Sequence, residues 1–348
     1  MALFKKQRAA SAPRSGADAQ AAPEPELDDL FGDAEAHAFR AELDRGDWQR
    51  LHDFLEAARE PDTRHFYIDV LAGRITGRPG WIDEWCEARP GSAVPALFRG
   101  VHGIKWAWQA RGGGLARTVK QDAWPLFHER LVAADKDLER AARLDPEDPT
   151  PHSASLWPVI GLSLGQAELL RRFGEVDRRH RWHLGAYRAM SQGMASKWSG
   201  SNERLLEFAR AALREAPDGH PVHVIVPSAH LEVWRYFTHG LVAGTPEHKA
   251  GQERQISYFR DEAVQAEVRL AADRSIRSPG YRPCRSTPAH RNYFAMCFRL
   301  MRDYPAQLEQ MDLIGPLITR MPWAYQGRPG AAYERARTMA LTKTRAGG

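Results

Sequence analysis

The sequence predicts an all-α protein made of antiparallel helical hairpins stacked on one another. Three observations carry that expectation. Apolar residues recur at i, i+3 and i+4, as in Leu51, Phe54 and Leu55, which is the spacing of one helix face. The amphipathic segments are separated by short breaks rich in Gly, Pro and Asp, suited to joining antiparallel neighbours. No segment gives the clean period-2 alternation of a half-buried strand over six residues, except Pro221-Val-His-Val-Ile-Val226, where a strand competes with helix.

Taken in order, the first hairpin has helix-forming residues over 34–43 and a turn at Arg45-Gly46-Asp47. Gly46 suits a left-handed cap, and Asp47 caps a second helix that starts at Trp48 and stops at Pro61. The short aromatic stretch 62–73 admits helix or strand locally and is read as helix because its neighbours are helical. Trp81, Ile82 and Trp85 line a short helix after a Gly-Arg-Pro-Gly turn. A longer helix covers 94–111, where Gly100 and Gly103 weaken it intrinsically and let another backbone approach. Arg111-Gly-Gly-Gly114 reads as a loop, since neither the spacing nor the preceding strand of a phosphate-binding loop is present.

The clearest helix covers 121–144, with Trp124, Phe127, Leu131, Ala134, Leu138 and Ala142 on one face and a stop at Asp145-Pro-Glu-Asp-Pro149. Apolar 154–164 and Arg/His-rich 168–190 follow, then helices over 202–213, 222–241 and 251–273. The Pro-rich stretch 278–288 separates a last hairpin, 291–302 and 306–314, and a final helix over 331–341. The expected organisation is a disordered tail over 1–26, a helical-repeat-like domain over 27–277 and a C-terminal helical extension over 288–348 packed on it.

Composition narrows the class. The chain has 348 residues, 43% hydrophobic and 27% charged, which is ordinary for a globular protein with a full core. Cys86, Cys284 and Cys297 are scattered, so they define neither a disulfide framework nor a metal pattern. The N-terminus starts positive but lacks the apolar stretch of a signal peptide, and no apolar run reaches 18 residues. No membrane span is expected, and the cytoplasm is the expected compartment. The net charge of +5 is compatible with nucleic acid, but the Arg residues are spread among acids instead of being concentrated.

Ala141-Ala-Arg-Leu-Asp-Pro146 and Ala211-Ala-Leu-Arg-Glu-Ala-Pro217 end charged amphipathic helices about 70 residues apart, roughly two units of a 34-residue helical repeat. A lone hairpin leaves an apolar face bare, which the next hairpin covers. The first of these segments, with the Gly46-Asp47 hairpin turn, resembles tetratricopeptide-type repeats, which implies an irregular tetratricopeptide-like superhelix. The Trp, Leu-Gly and Tyr positions of regular repeats do not recur at 34 residues. Lys197-Trp-Ser-Gly-Ser201, with Glu203 and Phe208-Ala-Arg210, is similar to a bacterial family with a helical domain of unknown function. That likeness covers about 120–240 and implies an all-helical fold with no assigned activity.

Candidate sites are few. His180 and His183 stand three apart but are surrounded by Arg178, Arg179 and Arg181, whose guanidinium groups oppose a divalent cation. Those three arginines are the candidate anion contacts, against the simpler reading of a solvated basic helix face. His220, His223 and His230 match no metal or catalytic pattern. Lys197, Trp198, Ser199, Gly200 and Ser201 form the candidate interaction or structural motif, with Ser201 as a helix cap and Trp198 as a packing centre. Trp48, Trp81, Trp85, Trp124 and Trp157 fall in apolar stripes and read as core. No catalytic residue, metal ligand set or cofactor is expected. The leading expectation is a scaffold that binds another protein. The alternatives are an enzyme whose site is assembled from distant helices, and a weak nucleic-acid or anion binder.

Overall fold

The computed structural model describes residues 27–112, 119–198 and 200–346. Among them the chain is all-α, an irregular stack of helical hairpins with no β-sheet; Leu27 and Ile318 form an isolated bridge. Among the described residues no helix is long and apolar enough to cross a membrane.

The first hairpin follows its local chemistry. Asp33 caps α1 (Ala34–Ala38) by accepting from the Ala36 amide, and α2 (Arg40–Arg45) stops at Gly46 with φ 72°. A Cβ at Gly46 would sit 2.6 Å from the Trp81 ring, so steric room and backbone conformation both demand glycine. Helix α3 (Trp48–Ala57) starts where Asp47 placed it, although the Asp47 side chain makes no capping bond. The aromatic stretch is helix α4 (Pro61–Ala72), capped by Glu60, which accepts from the Asp62 and Thr63 amides.

Helices α5 (Trp81–Ala88), α6 (Ala93–Arg111) and α7 (Ala123–Leu144) complete the N-terminal half. The glycines of α6 do what their position suggested. A Cβ at Gly100 would lie 2.8 Å from the Leu138 side chain and one at Gly103 3.0 Å from the Ala134 Cβ, so α6 and α7 pack almost backbone to backbone. The Arg111–Gly114 loop continues into 113–118, outside the described residues.

Short helices α8 (Thr150–Ala154) and α9 (Leu156–Gly161) lead into α10 (Gln166–Arg179) and α11 (Leu184–Met194). The Arg/His-rich stretch 168–190 divides between these last two helices. His180 ends α10, Trp182 takes a left-handed φ of 68°, and His183 caps α11 by accepting from the Ala186 amide. Arg178 and Arg179 therefore close a helix, while Arg181 sits in a turn.

Helix α12 (Asn202–Glu215) is capped by Ser201 as expected, through the Arg204 amide. The strand alternative at Pro221–Val226 does not form. Pro221–Val224 is a 3-10 turn that runs into α13 (Ile225–Tyr236), with Val222, Ile225 and Val226 buried and Val224 half-buried. The segment 251–273 is two helices, α14 (Pro246–Tyr258) and α15 (Glu262–Asp273), separated at Asp261, which caps the second. Helices α16 (Thr287–Met301), α17 (Tyr304–Ile314), α18 (Arg320–Trp323) and α19 (Pro329–Ala346) end the chain.

The apolar core forms two clusters, one over 30–154 and one over 156–336, with Trp157 packed against both. The first described residues meet the segments that precede α16 and α18. The Asp28 amide donates to the Ile318 carbonyl, and Arg285 binds Asp33 at 2.7 Å and Glu35 at 2.9 Å. This closure gathers α4, α6, α11 and α13 around interior space.

Candidate ligand-binding cavity

Helical periodicity sets the larger cavity. On α4, His65, Ile68 and Asp69 follow i, i+3, i+4. On α6, Val101, Ile104, Lys105, Trp108 and Arg111 repeat the pattern. On α11, Arg188 and Gln192 stand one turn apart. These faces enclose about 870 Å³ together with Trp124, Trp157, Lys197, Trp198 and Arg235. A second cavity of about 250 Å³ lies between α4, α11 and the C-terminal helices. His65, Asp69 and Arg188 line both, so they form the waist where the two meet.

The waist is built tightly. A Cβ at Gly185 would land on the His65 ring, so only glycine lets that imidazole lie against α11. The Asp62 carboxylate accepts from the Leu184 amide at 2.8 Å and faces His180 at 3.7 Å, tying α4 to the start of α11. Burial pushes the His65 imidazole down, against the pull of Asp69 and Asp62, and keeps it neutral at neutral pH. Burial pushes the Asp69 carboxyl up, but Lys105, its ion-pair partner, and Arg188 overcome this and hold it far below the usual carboxylate range.

The charge in the larger cavity is lopsided. Lys197 pairs with Glu232 at 2.9 Å, and Arg235 approaches the same carboxylate at 3.5 Å. Arg111 lies 5.4 Å from the Trp108 and Trp124 ring centres and 5.5 Å from that of Trp198, a cation held on aromatic faces. Among the described residues Arg188 makes no hydrogen bond or ion pair, although its charge is felt by Asp69, His65 and His290. Arg188 is exposed on the wall shared by the two cavities, and a guanidinium fork matches the geometry of an oxyanion.

The expected motif falls at this site in part. Lys197 and Trp198 line the larger cavity, and Trp198 meets Trp108 edge-on at 5.3 Å. Ser199 lies outside the described residues. Gly200 passes under α11, where a Cβ would collide with the Met194 carbonyl. Replacing Gly200 with Ala is expected to cost about 1–3 kcal/mol, because backbone must move to admit the methyl. Urea unfolding of the variant measures this, and an unchanged midpoint would show that the turn yields freely.

The other expected residues lie elsewhere. Arg178 and Arg179 each bind Glu175 at 2.7 Å, and Arg181 reaches Glu215 at 3.2 Å while covering Trp182. Each guanidinium is engaged by an acid, and none lines either cavity. His230 is fixed by the Tyr258 hydroxyl at 2.9 Å and Glu267 at 3.1 Å, and His223 by the Pro217 carbonyl at 3.1 Å. Of the tryptophans read as core, Trp85 is fully buried, whereas Trp124 and Trp157 face the cavity.

Glu60, Asp62 and His180 bring donor atoms within 4.8 Å of one another, a grouping invisible in the linear sequence. Helix capping by Glu60 and the pairing of Asp62 with His180 and Leu184 account for that geometry. The fold and the cavities define a class: an all-helical protein with a half-open cavity lined by cationic and aromatic side chains. No family model, curated protein or solved structure matches the chain.

Proposed function

We propose that this protein is a binding protein that takes a small organic anion into the larger cavity. The observation that carries the reading is Arg188, an open guanidinium at the waist of a Trp-lined cavity whose other charged walls are mostly cationic. The volume of about 870 Å³ falls in the range of small-molecule sites, roughly 300–1,000 Å³. The stack serves as a rigid frame, and the Ala141–Pro146 and Gly46-Asp47 segments support reading it as an irregular tetratricopeptide-like superhelix. The three cysteines are all free, which supports a reducing compartment such as the cytoplasm.

The same chemistry accepts a free metabolite or the acidic end of a partner protein. Calorimetry on the full chain separates these sources when indole-3-acetate and a short acidic peptide ending in a free carboxylate are titrated in parallel. Tighter binding of the small anion, weakened about tenfold or more by Arg188→Ala, is the expected result, since a charge-assisted hydrogen bond is lost. Preferential binding of the peptide would replace the metabolite reading with the scaffold reading. Binding indifferent to Arg188 would sink both.

A further inference from the structure

We infer that the anion is a phosphate ester carried on a planar aromatic ring, a nucleoside monophosphate being its simplest representative. The inference rests on the anion-binding reading above and adds the charge and shape of the ligand. The first argument is charge. Among the described residues, Lys105, Arg111, Arg188, Lys197 and Arg235 line the larger cavity, opposed by Asp69 on its wall and by Glu232 behind Lys197 and Arg235. With Arg111 held on the Trp108, Trp124 and Trp198 rings, the other four cations against these two carboxylates leave two positive charges at the cavity wall. A monocarboxylate answers one of them, whereas a phosphate monoester brings close to two charges and three acceptor oxygens.

The second argument is hydrogen bonding. Among the described residues Arg188 lines the cavity exposed and with no hydrogen bond or ion pair, which leaves the donors of its guanidinium fork unused. The unmet capacity of this wall lies in donors, so the complementary ligand is rich in acceptors.

The third argument is shape. Trp108, Trp124, Trp157 and Trp198 line the same cavity as the cations. Indole faces stack planar rings, and the combination of basic groups with aromatic platforms fits a base joined to a phosphate. The cavity of about 870 Å³ is also generous for a single-ring carboxylate but suited to a ring, a sugar and a phosphate together.

The test is calorimetry and tryptophan fluorescence on the full chain with four probes: AMP, adenosine, inorganic phosphate and indole-3-acetate. AMP is expected to bind at least about tenfold more tightly than each of the others, and to quench tryptophan emission. Arg188→Ala should remove most of the AMP advantage and leave adenosine unchanged. Circular dichroism checks that the variant is folded, and Arg188→Lys, which keeps the charge and loses the fork, should fall between the two. If indole-3-acetate binds as tightly as AMP, the phosphate inference is overturned while the anion-binding reading stands. Adenosine binding as tightly as AMP would likewise overturn it, because the phosphate then contributes nothing. If none of the four probes binds, both readings fail.

Discussion

The folded state is expected to lose stability steeply as the pH falls from about 6.5 toward 4. Three buried histidines drive this. Burial pushes His183 and His290 down to about 3 and His223 down to about 4. For His290 the nearby Arg188 guanidinium adds to the effect, and for His223 Arg274 does. His183 is also committed structurally, because its Nδ1 accepts from the Ala186 amide and must stay unprotonated to do so. In the unfolded chain each imidazole titrates near its ordinary value of 6.5. Between that value and the folded one, the unfolded state binds more protons, so each residue removes about 1.4 kcal/mol of stability per pH unit. Above pH 6.5 all three are neutral in both states and contribute no slope. Acting together they take away about 4 kcal/mol per unit, so a fall to pH 5 removes on the order of 6 kcal/mol. That is comparable with the whole stability of an ordinary domain, about 5–15 kcal/mol. His180 works in the opposite sense. Its bond to Asp62 raises its folded value, so its contribution is complete below 6.5 and fades as pH rises. Urea midpoints measured from pH 7.5 to 4.5 test the expectation, and His290→Leu should reduce the slope by about 1.4 kcal/mol per pH unit. A flat profile through this window would mean that the imidazoles reach water or partners in the native state.

The fold was legible where local chemistry and tertiary packing agree. The Gly46 cap, the Ser201 cap and the glycines of α6 could be read because each has one strong physical reason to stand where it does. Elsewhere local chemistry was ambiguous. The alternation at Pro221–Val226 also suits a strand, but the helix read from Val222 onward is what forms, with the proline starting a 3-10 turn that leads into it. The break at His180–His183 was missed because Arg-, His- and Trp-rich sequence carries no glycine or proline to mark it. The left-handed conformation falls instead on Trp182, a residue type that rarely adopts it.

The site was legible at one edge only. Lys197 and Trp198 stand in a motif that could be singled out, and they do line the cavity. Arg178, Arg179 and Arg181 drew attention as a cluster, yet clustered arginines on a helix end find acids close by, and here they are engaged by Glu175 and Glu215. Among the described residues of the cavity wall, Arg188 makes no hydrogen bond or ion pair, and it is a single arginine in an apolar helix with nothing in the linear sequence to distinguish it. His65 and Asp69 share a helix face at i, i+4, which was a visible signal. Its meaning depends on Lys105 and Arg188, supplied by helices 36 and 119 positions along the chain from Asp69.

Asp148→Ala is expected to be the most damaging single substitution outside the apolar core. The Arg64 guanidinium donates to Asp148 at 2.7 Å, with side chains 6% and 4% exposed. Arg64 also donates to the Ala58 carbonyl at 2.8 Å, and Asp148 accepts from the Thr150 amide at 2.8 Å. The pair thus joins the start of α4 to the Asp145-Pro-Glu-Asp-Pro149 turn. Removing the carboxylate strands a buried cation and strips the α8 terminus of an acceptor. Breaking such a pair from one side costs about 3–5 kcal/mol. Asp145, 3.6 Å from the same guanidinium and half-exposed, offers a partial substitute and places the effect toward the lower end of that range. Removing both charges is a different experiment. Arg64→Met with Asp148→Ala leaves no stranded ion, so the double variant should be more stable than Asp148→Ala alone, giving a coupling of about 1–3 kcal/mol. Urea unfolding of the four proteins closes the cycle, and a double variant no better than the sum of the singles would show that the pair is not the unit holding this junction. The consequence reaches the site, because Arg64 immediately precedes His65 on α4. Loosening that helix shifts His65 and Asp69 away from Arg188, so Asp148→Ala should also weaken AMP binding at temperatures where the protein is still folded, whereas the double variant should recover part of it.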